Sequence, residues 1–296
     1  MSAADPAPPE PFPADSTPAA GARAPDWARI LPDADHRWTM GLRPGHVADF
    51  FAAWDSSGAM RAERAHWLNT EPERYASLPE DAEPALGDTV ALARRLGVPI
   101  EDGLPPHVQL QTLGRMWEPD FVWMRCDDEG RHRLIGGVLC FPSSWDLREK
   151  LGQPMHAIHA PVPGLNPALE RQIEVFLSRL TPGTAWTREN ANFSRDARFN
   201  HHPSRPRTRF DASVTLEEFH LRLEHQLLLR LRPKGDILFG IRVEIIPIAA
   251  VLANRGAGRR LRRMLATISP EGAAYKGIGT ARDRLVELLD EQLGRL

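Results

Sequence analysis

The sequence predicts an α+β fold in which helices flank one antiparallel sheet, and three observations carry that prediction. β-forming residues gather in five stretches, 121–126, 132–141, 185–194, 219–231 and 236–248, while the segments on either side carry helix-period apolar patterns. Two pairs of these stretches are joined by short turn sequences, Asp127–Gly130 and Pro233–Gly235, as hairpins require. Apolar residues make up 42% and charged residues 26% of the 296, a balance that lets the chain bury a core.

Taken in order, residues 1–25 are rich in Pro and poor in large apolar side chains, which predicts a disordered leader with no secretory signal. Amphipathic helices are expected at 46–54 and 57–65. Another is expected at 88–97, with Asp88 as cap and Gly97 as stop. A Pro-containing loop near 98–106 leads into a helical stretch at 107–116. After the first two strands, Ser143–Ser144 precedes a short helix at 145–151, where a serine cap fits the acidic first turn. The clearest helix is 166–180. Asn166 can cap it, Pro167 suits its first position, and Leu169, Ile173, Phe176, Leu177 and Leu180 line one face. Three strands follow, then a helical tail from about 249 to 296. Two strands, a helical excursion and three strands is the order of a PAS-type sheet, whose helices close a small-molecule pocket over one face. Residues 26–296 are therefore expected to form a single domain with added N- and C-terminal helices.

Several function classes are disfavoured. A net charge of −2 gives no basic footprint for nucleic acid. The most apolar run, 236–251, is interrupted by Arg242, Glu244 and Pro247 and is too short for a bilayer, so no membrane partner is expected and the cytoplasm follows. Cys126 and Cys140 are too few for a disulfide framework or an iron–sulfur cluster, and read as core thiols. Gly277 and Gly279 do not complete a dinucleotide fingerprint. Walker loops, nucleophile elbows and HExxH motifs are missing.

The stretch 141–164 (FPSSWDLREKLGQPMHAIHAPVPG) holds His156 and His159 in a connection stiffened by Pro161 and Pro163. Such a loop is a good mount for an axial ligand, although a loop histidine is more often just that. In 221–231, Leu221, Leu223, His225, Leu227 and Leu229 point one way; Arg222, Glu224, Gln226 and Arg230 point the other. The polar face either meets solvent or lines a pocket in which Arg222 and Glu224 neutralise each other. Arg242 and Glu244 on the next strand carry the same ambiguity. Arg188, Asn190 and Asn192 can bind a carboxylate or an amine-bearing ligand, or simply mark a strand edge. His201–His202 has no companion at metal-site spacing and reads as surface loop. Arg259, Arg260, Arg262 and Arg263 form a basic helical patch, solvated or available for docking.

The string FPSxW…KLG…IHxPVPG across Phe141–Gly164 resembles the heme-dependent oxidative N-demethylase α-subunit family. The likeness extends over 38–42 (WTMGL), 67–75 (WLNTEPERY), 113–124, 186–193, 221–231, 236–242 and 275–277 (YKG), or about residues 36–292. The resemblance implies a PAS-like fold holding heme b. It also implies a monooxygenase-type oxidation of an N-methyl group on a small amine by dioxygen, releasing formaldehyde. It points to His159 as the iron ligand, with His156 as fallback, and to Arg188, Asn190 and Arg242 around the cofactor. Arg222 and Glu224 match polar positions of a family strand and take catalytic roles. His225 stands where the family has Arg, and Ala191 where it has Trp, which implies an altered pocket; Glu118-Pro119-Asp120 interrupts an acidic pair. With no electron-transfer motif in the chain, the resemblance implies a separate flavin or iron–sulfur reductase, for which the patch at 259–263 is a candidate surface. The alternative is a non-catalytic heme-binding sensor or carrier.

Overall fold

A computed structural model of the protein describes residues 25–295; the predicted leader lies, but for Pro25, outside the described residues. Seven strands form one sheet: β1 (Arg43–Gly45), β2 (Ala76–Ser77), β3 (Asp120–Cys126), β4 (His132–Val138), β5 (Ala185–Ser194), β6 (His220–Arg230) and β7 (Ile237–Pro247). Their spatial order is β1-β5-β6-β7-β3-β4-β2, with every neighbouring pair antiparallel. All five predicted strands form. The two edge strands β1 and β2 escaped prediction because two or three residues carry no readable alternation.

The β3–β4 hairpin turns at Asp127, whose carboxylate accepts from the Glu129 and Arg131 amides at 3.0 and 2.8 Å. Within β4 the register shifts opposite Trp123/Met124, beside Gly136 and Gly137. Gly137 has φ +139°, and a Cβ there would meet the Phe121 carbonyl oxygen at 2.3 Å, so only glycine lets the strands approach. β4 stops at Val138, three residues earlier than predicted. Beyond it the Leu139 amide turns to the Tyr75 carbonyl, and the Cys140 and Phe141 amides turn to the Asp120 carboxylate at 2.6 and 2.8 Å.

Helices α1 (Trp27–Ile30), α2 (Val47–Phe51), α3 (Ala59–Thr70), α4 (Pro72–Tyr75), α5 (Glu83–Arg95) and α6 (Pro106–Met116) precede β3. α7 (Leu147–Lys150), α8 (Met155–His159) and α9 (Leu165–Arg179) fill the excursion between β4 and β5. The tail holds α10 (Ile248–Leu252), α11 (Arg255–Thr267), α12 (Pro270–Tyr275) and α13 (Arg282–Arg295). Three cap assignments differ from expectation. α5 begins five residues before Asp88, with a proline in its first turn. Asp146, not a serine, caps α7 by accepting from the Arg148 amide. Gly164 caps α9 in a left-handed conformation, while Asn166 donates to the His156 carbonyl at 2.8 Å.

β6 shows how the sheet organises the molecule. On one face, Leu227 and Leu229 join a core with Phe50 of α2, Leu113 of α6, Trp117 just after α6, and Trp123 of β3. On the same face, Leu221 and Leu223 join a second core with Val251, Leu261, Leu265 and Leu285 from the tail. Each such leucine contributes about 1.5–3 kcal/mol on full burial. His225 sits between the two cores. The opposite face of the sheet is covered by the excursion: Leu147 and Ile158 pack on Val122 and Ile241, and Met155, Ile173 and Phe176 pack around Met124 and Leu228.

Two further expectations change. Cys140 is buried as predicted, but Cys126 is exposed, at the end of β3. His201 and His202 are buried rather than on a surface loop: the His201 carbonyl accepts from the Ser144 amide, and its ring meets Asp196 at 3.3 Å. No helix of the described residues is long and apolar enough to cross a membrane.

Candidate functional site

The excursion-covered face of β5 and β6 is polar at its centre. Register pairs Arg188 with Gln226, Asn190 with Glu224 and Asn192 with Arg222, so these six side chains share that face. Glu224 is buried and accepts from Ser143 Oγ at 2.5 Å, Asn190 Nδ2 at 3.2 Å and Gln226 Nε2 at 2.8 Å. Its three partners are neutral. Among the described residues no cation comes within 4.0 Å of it.

Arg222 does different work. Its Nε donates to Ser143 Oγ at 2.9 Å, and its terminal nitrogens donate to the carbonyls of Phe141, Pro142, Arg198 and Phe199. It therefore pins the FPSS segment and the 195–219 loop to the sheet. Burial pulls its guanidinium down to about 10, against the pull of Glu224 and Asp120. Ser144, next to the Ser143 hydroxyl, takes a left-handed φ of +69°, unusual outside glycine.

α8 roofs the cleft. Met155 and Ile158 face the sheet, and His159, four residues after Met155, shares their side of the helix. His159 is half-buried; burial first, and the positive charge of Arg188 second, pull its imidazole down to about 4. At neutral pH it is an uncharged ring with a free lone pair, the form that ligates metals. Arg188 is enclosed at Nε without a hydrogen-bond partner, and burial lowers its affinity for its proton.

The third wall comes from the two ends of the described chain. Trp38 Nε1 donates to the Pro163 carbonyl at 2.7 Å, tying the segment before β1 to the turn after α8. Its ring lies 5.5 Å from Lys276 Nζ and edge-on to Tyr275. Lys276 is 8% exposed and donates to the Ala191 carbonyl at 2.7 Å. Burial pulls its amine down to about 8, with Glu224 opposing that shift and Arg188 adding to it. Sequence reasoning placed no site role on Lys276, Trp38 or Tyr275, and read Ser143 only as part of a helix cap. Their signal was the quoted WTMGL, YKG and FPSxW strings, which name positions but not the cleft they share.

The other candidates lie elsewhere. His156 is half-buried on α8, and its carbonyl is held by Asn166. Arg242 pairs in register with His225 and Glu244 with Leu223, which puts both on the face away from the cleft. There Arg242 forms an ion pair with Glu118, donates to the Phe50 and Ala52 carbonyls, and stacks under Trp54. His225 bonds Glu244 at 3.0 Å on that same face, and Ala191 packs against the tail core. The departures at 191 and 225 thus fall outside the Glu224 cleft. Glu118 and Asp120 are both buried acids with structural partners: Asp120 holds Arg64 at 2.5 Å, and Glu118 holds the Trp54 amide at 2.8 Å. In the basic patch, Arg262 pairs with Asp290 and Arg263 with Asp33 and Asp35, while Arg259 is exposed.

The cleft thus combines an uncharged imidazole, a buried lysine, a half-buried arginine and a carboxylate held by neutral donors. Half-buried apolar side chains, Trp145, Ile158, Phe239 and Trp186, stand over the same sheet face. A groove of about 490 Å³ lined by Leu42, Phe176 and Trp186 opens beside it, two residues from Arg188 along β5. A family model described as "Haem-dependent oxidative N-demethylase, alpha subunit-like" matches residues 66–286, a span that includes every cleft residue except Trp38.

Proposed function

The chain belongs to the haem-dependent oxidative N-demethylase alpha subunit-like family, and from that premise we propose that it binds heme b in the cleft beneath α8 and oxidises an N-methyl group of a small amine with dioxygen. The residues present fit that cofactor: a ring nitrogen free to ligate iron on His159, cations for acidic edges on Arg188 and Lys276, and apolar walls for a flat macrocycle. His159 is the proposed ligand, with His156 one helical turn away as fallback, and Asn190 lies beside the cofactor. When bound, heme supplies the dioxygen-dependent oxidation of the methyl carbon, whose carbinolamine product breaks down to formaldehyde and the shorter amine.

The protein's share is binding and orientation. Glu224 Oε1 and Oε2, fixed by Ser143, Asn190 and Gln226, hold the N–H of a cationic amine as a charge-assisted acceptor. Arg222 acts on the reaction through Ser143, by fixing the hydroxyl that orients Glu224. Arg242 has no part in the cleft and serves the fold. The central order β5-β6-β7-β3-β4, with the excursion over one face, supports a PAS-like reading of residues 26–296 as one heme-binding unit. Electrons come from a separate flavin or iron–sulfur reductase, and the cytoplasm is the proposed location.

One observation carries the proposal: a buried carboxylate surrounded by neutral donors faces the same cleft as an uncharged histidine. The test is spectroscopic and chemical. Protein loaded with hemin is expected to show a Soret band that His159→Ala shifts or abolishes. With a chemical reductant and N-methylated amines it is expected to release formaldehyde, and Glu224→Gln to lose that release while keeping the Soret band. A Soret band without formaldehyde from any amine would favour the carrier or sensor; absence of the band would end the heme reading.

A further inference from the structure

Lys276 and Arg188 present a problem that the cleft alone does not solve. Lys276 is 8% exposed, and its ammonium has one hydrogen bond, to the Ala191 carbonyl. Arg188 has an enclosed Nε with none. Among the described residues neither cation has a carboxylate within 4.0 Å. Glu224 acts on both only from a distance, beyond ion-pair reach. A lysine held out of water without a counter-charge is costly, and a half-buried arginine with an enclosed, unsatisfied Nε in the same cleft adds to that cost. Such an arrangement is expected where an anion arrives to complete it.

We propose that Lys276 and Arg188 form a two-point clamp for a ligand bearing two carboxylates, the two acidic side arms of the heme assigned to this cleft; the inference rests on that assignment. Arg188 offers a planar fork suited to bidentate contact, and Lys276 a compact charge with N–H groups to spare. Trp38 couples the two halves of the site. Its ring covers the Lys276 ammonium, and its indole N–H holds the Pro163 carbonyl, four residues after His159. The arm that carries the iron ligand and the arm that carries the clamp therefore share one wall. The clamp would fix the orientation of the macrocycle in the cleft, a choice that His159 alone would leave free.

The test compares hemin with its dimethyl ester, in which both carboxylates are neutral. Each is titrated into the full chain and followed by the Soret band. The wild type is expected to bind hemin at least ~10-fold more tightly than the diester, as loss of charge-assisted contacts requires. Lys276→Met is expected to weaken hemin about 10-fold while leaving diester affinity and the Soret position unchanged. Lys276→Arg is expected to restore most of the preference. Equal affinity of the wild type for the two porphyrins would overturn the clamp and leave the heme reading standing, a result that needs no variant. A Lys276→Met protein with the wild-type ratio would remove Lys276 from it. Failure of the wild type to bind either porphyrin would sink both readings together.

Discussion

Glu224 and Arg222, two residues apart on one strand face, do not touch: the Ser143 hydroxyl lies between them, donating to the first at 2.5 Å and accepting from the second at 2.9 Å. The pair is neutralised through a neutral relay, which leaves the Glu224 oxygens oriented but not covered by a guanidinium. Ser143→Ala strands the Arg222 Nε and removes one of three donors to Glu224. It is expected to cost about 1–3 kcal/mol in urea unfolding. A loss below a few tenths would mean that the relay holds nothing.

Asp120 couples the cleft to the core behind it. It accepts from the fully buried Arg64 and from the Cys140 and Phe141 amides, where the FPSS segment leaves the sheet. Asp120→Asn leaves a buried guanidinium without its counter-charge, and is expected to destabilise the fold by about 3–5 kcal/mol. Denaturant melts of the variant check this, and Arg64→Met, which leaves the buried Asp120 carboxylate unpaired, is expected to fall in the same range of about 3–5 kcal/mol.

Stability should depend on pH with two limbs. Burial, aided by neighbouring cations, holds His159, His36 and His201 near 4 in the folded chain, whereas unfolded imidazoles titrate near 6.5. Between those values the unfolded chain binds more protons, so stability rises with pH from about 4 to about 6.5. His225 acts oppositely. Burial disfavours its charge, but Glu189 and Glu244 outweigh that and raise it. Its contribution is complete below 6.5 and is lost as pH climbs through the raised value. Urea midpoints are expected to rise up to pH 6.5 and then decline, with His225→Gln removing the decline. A flat profile between pH 4.5 and 6.5 would contradict the assignment.

Glycine substitutions should separate space from backbone freedom. Gly137→Ala places a Cβ 2.3 Å from the Phe121 carbonyl oxygen and 2.5 Å from the Val122 Cα, at a φ that L-residues avoid. It is expected to cost several kcal/mol, at least ~2, or to prevent folding. Gly87→Ala, inside α5 with nothing within 4 Å, is expected to stabilise by about 0.5–1 kcal/mol. Thermal melts of the two variants should move in opposite directions.

The parts of the fold that repeat with a period were legible in the sequence. The two faces of β6 follow from alternation alone, and the five main strands from β-formers bounded by turns. What alternation along single strands did not give was how neighbouring strands align. Arg242 and Glu244 look like the Arg222–Glu224 pattern repeated, yet a pairing of Arg222 with Ile245 puts them on the other face. The same logic moved Ala191 away from Glu224, whereas alternation along β6 alone already sets His225 on the other face. Lys276 and Trp38 were illegible for another reason: they are separated by most of the chain and meet only because the tail packs beside the segment before β1. His201 and His202 read as polar loop, and their burial depends on carboxylates and carbonyls that no local window contains.

The edge strands have a consequence for how the molecule is made. β1 pairs with Ala185–Thr187, and β2 with Gly137–Val138, both drawn from segments translated later. A nascent chain leaving the ribosome therefore exposes its future sheet borders before any border exists, and β1 waits for some 140 residues of synthesis on the scale at which chains elongate. Helices α3 and α5 each contact α6 within the first 116 residues, so they can pack before either border strand finds its partner. Closure of the sheet is then a late and long-range event, the kind that slows folding. Cells lacking room or time for that wait would meet this protein first as a helical cluster with two unpaired ribbons, and only afterwards as a cleft.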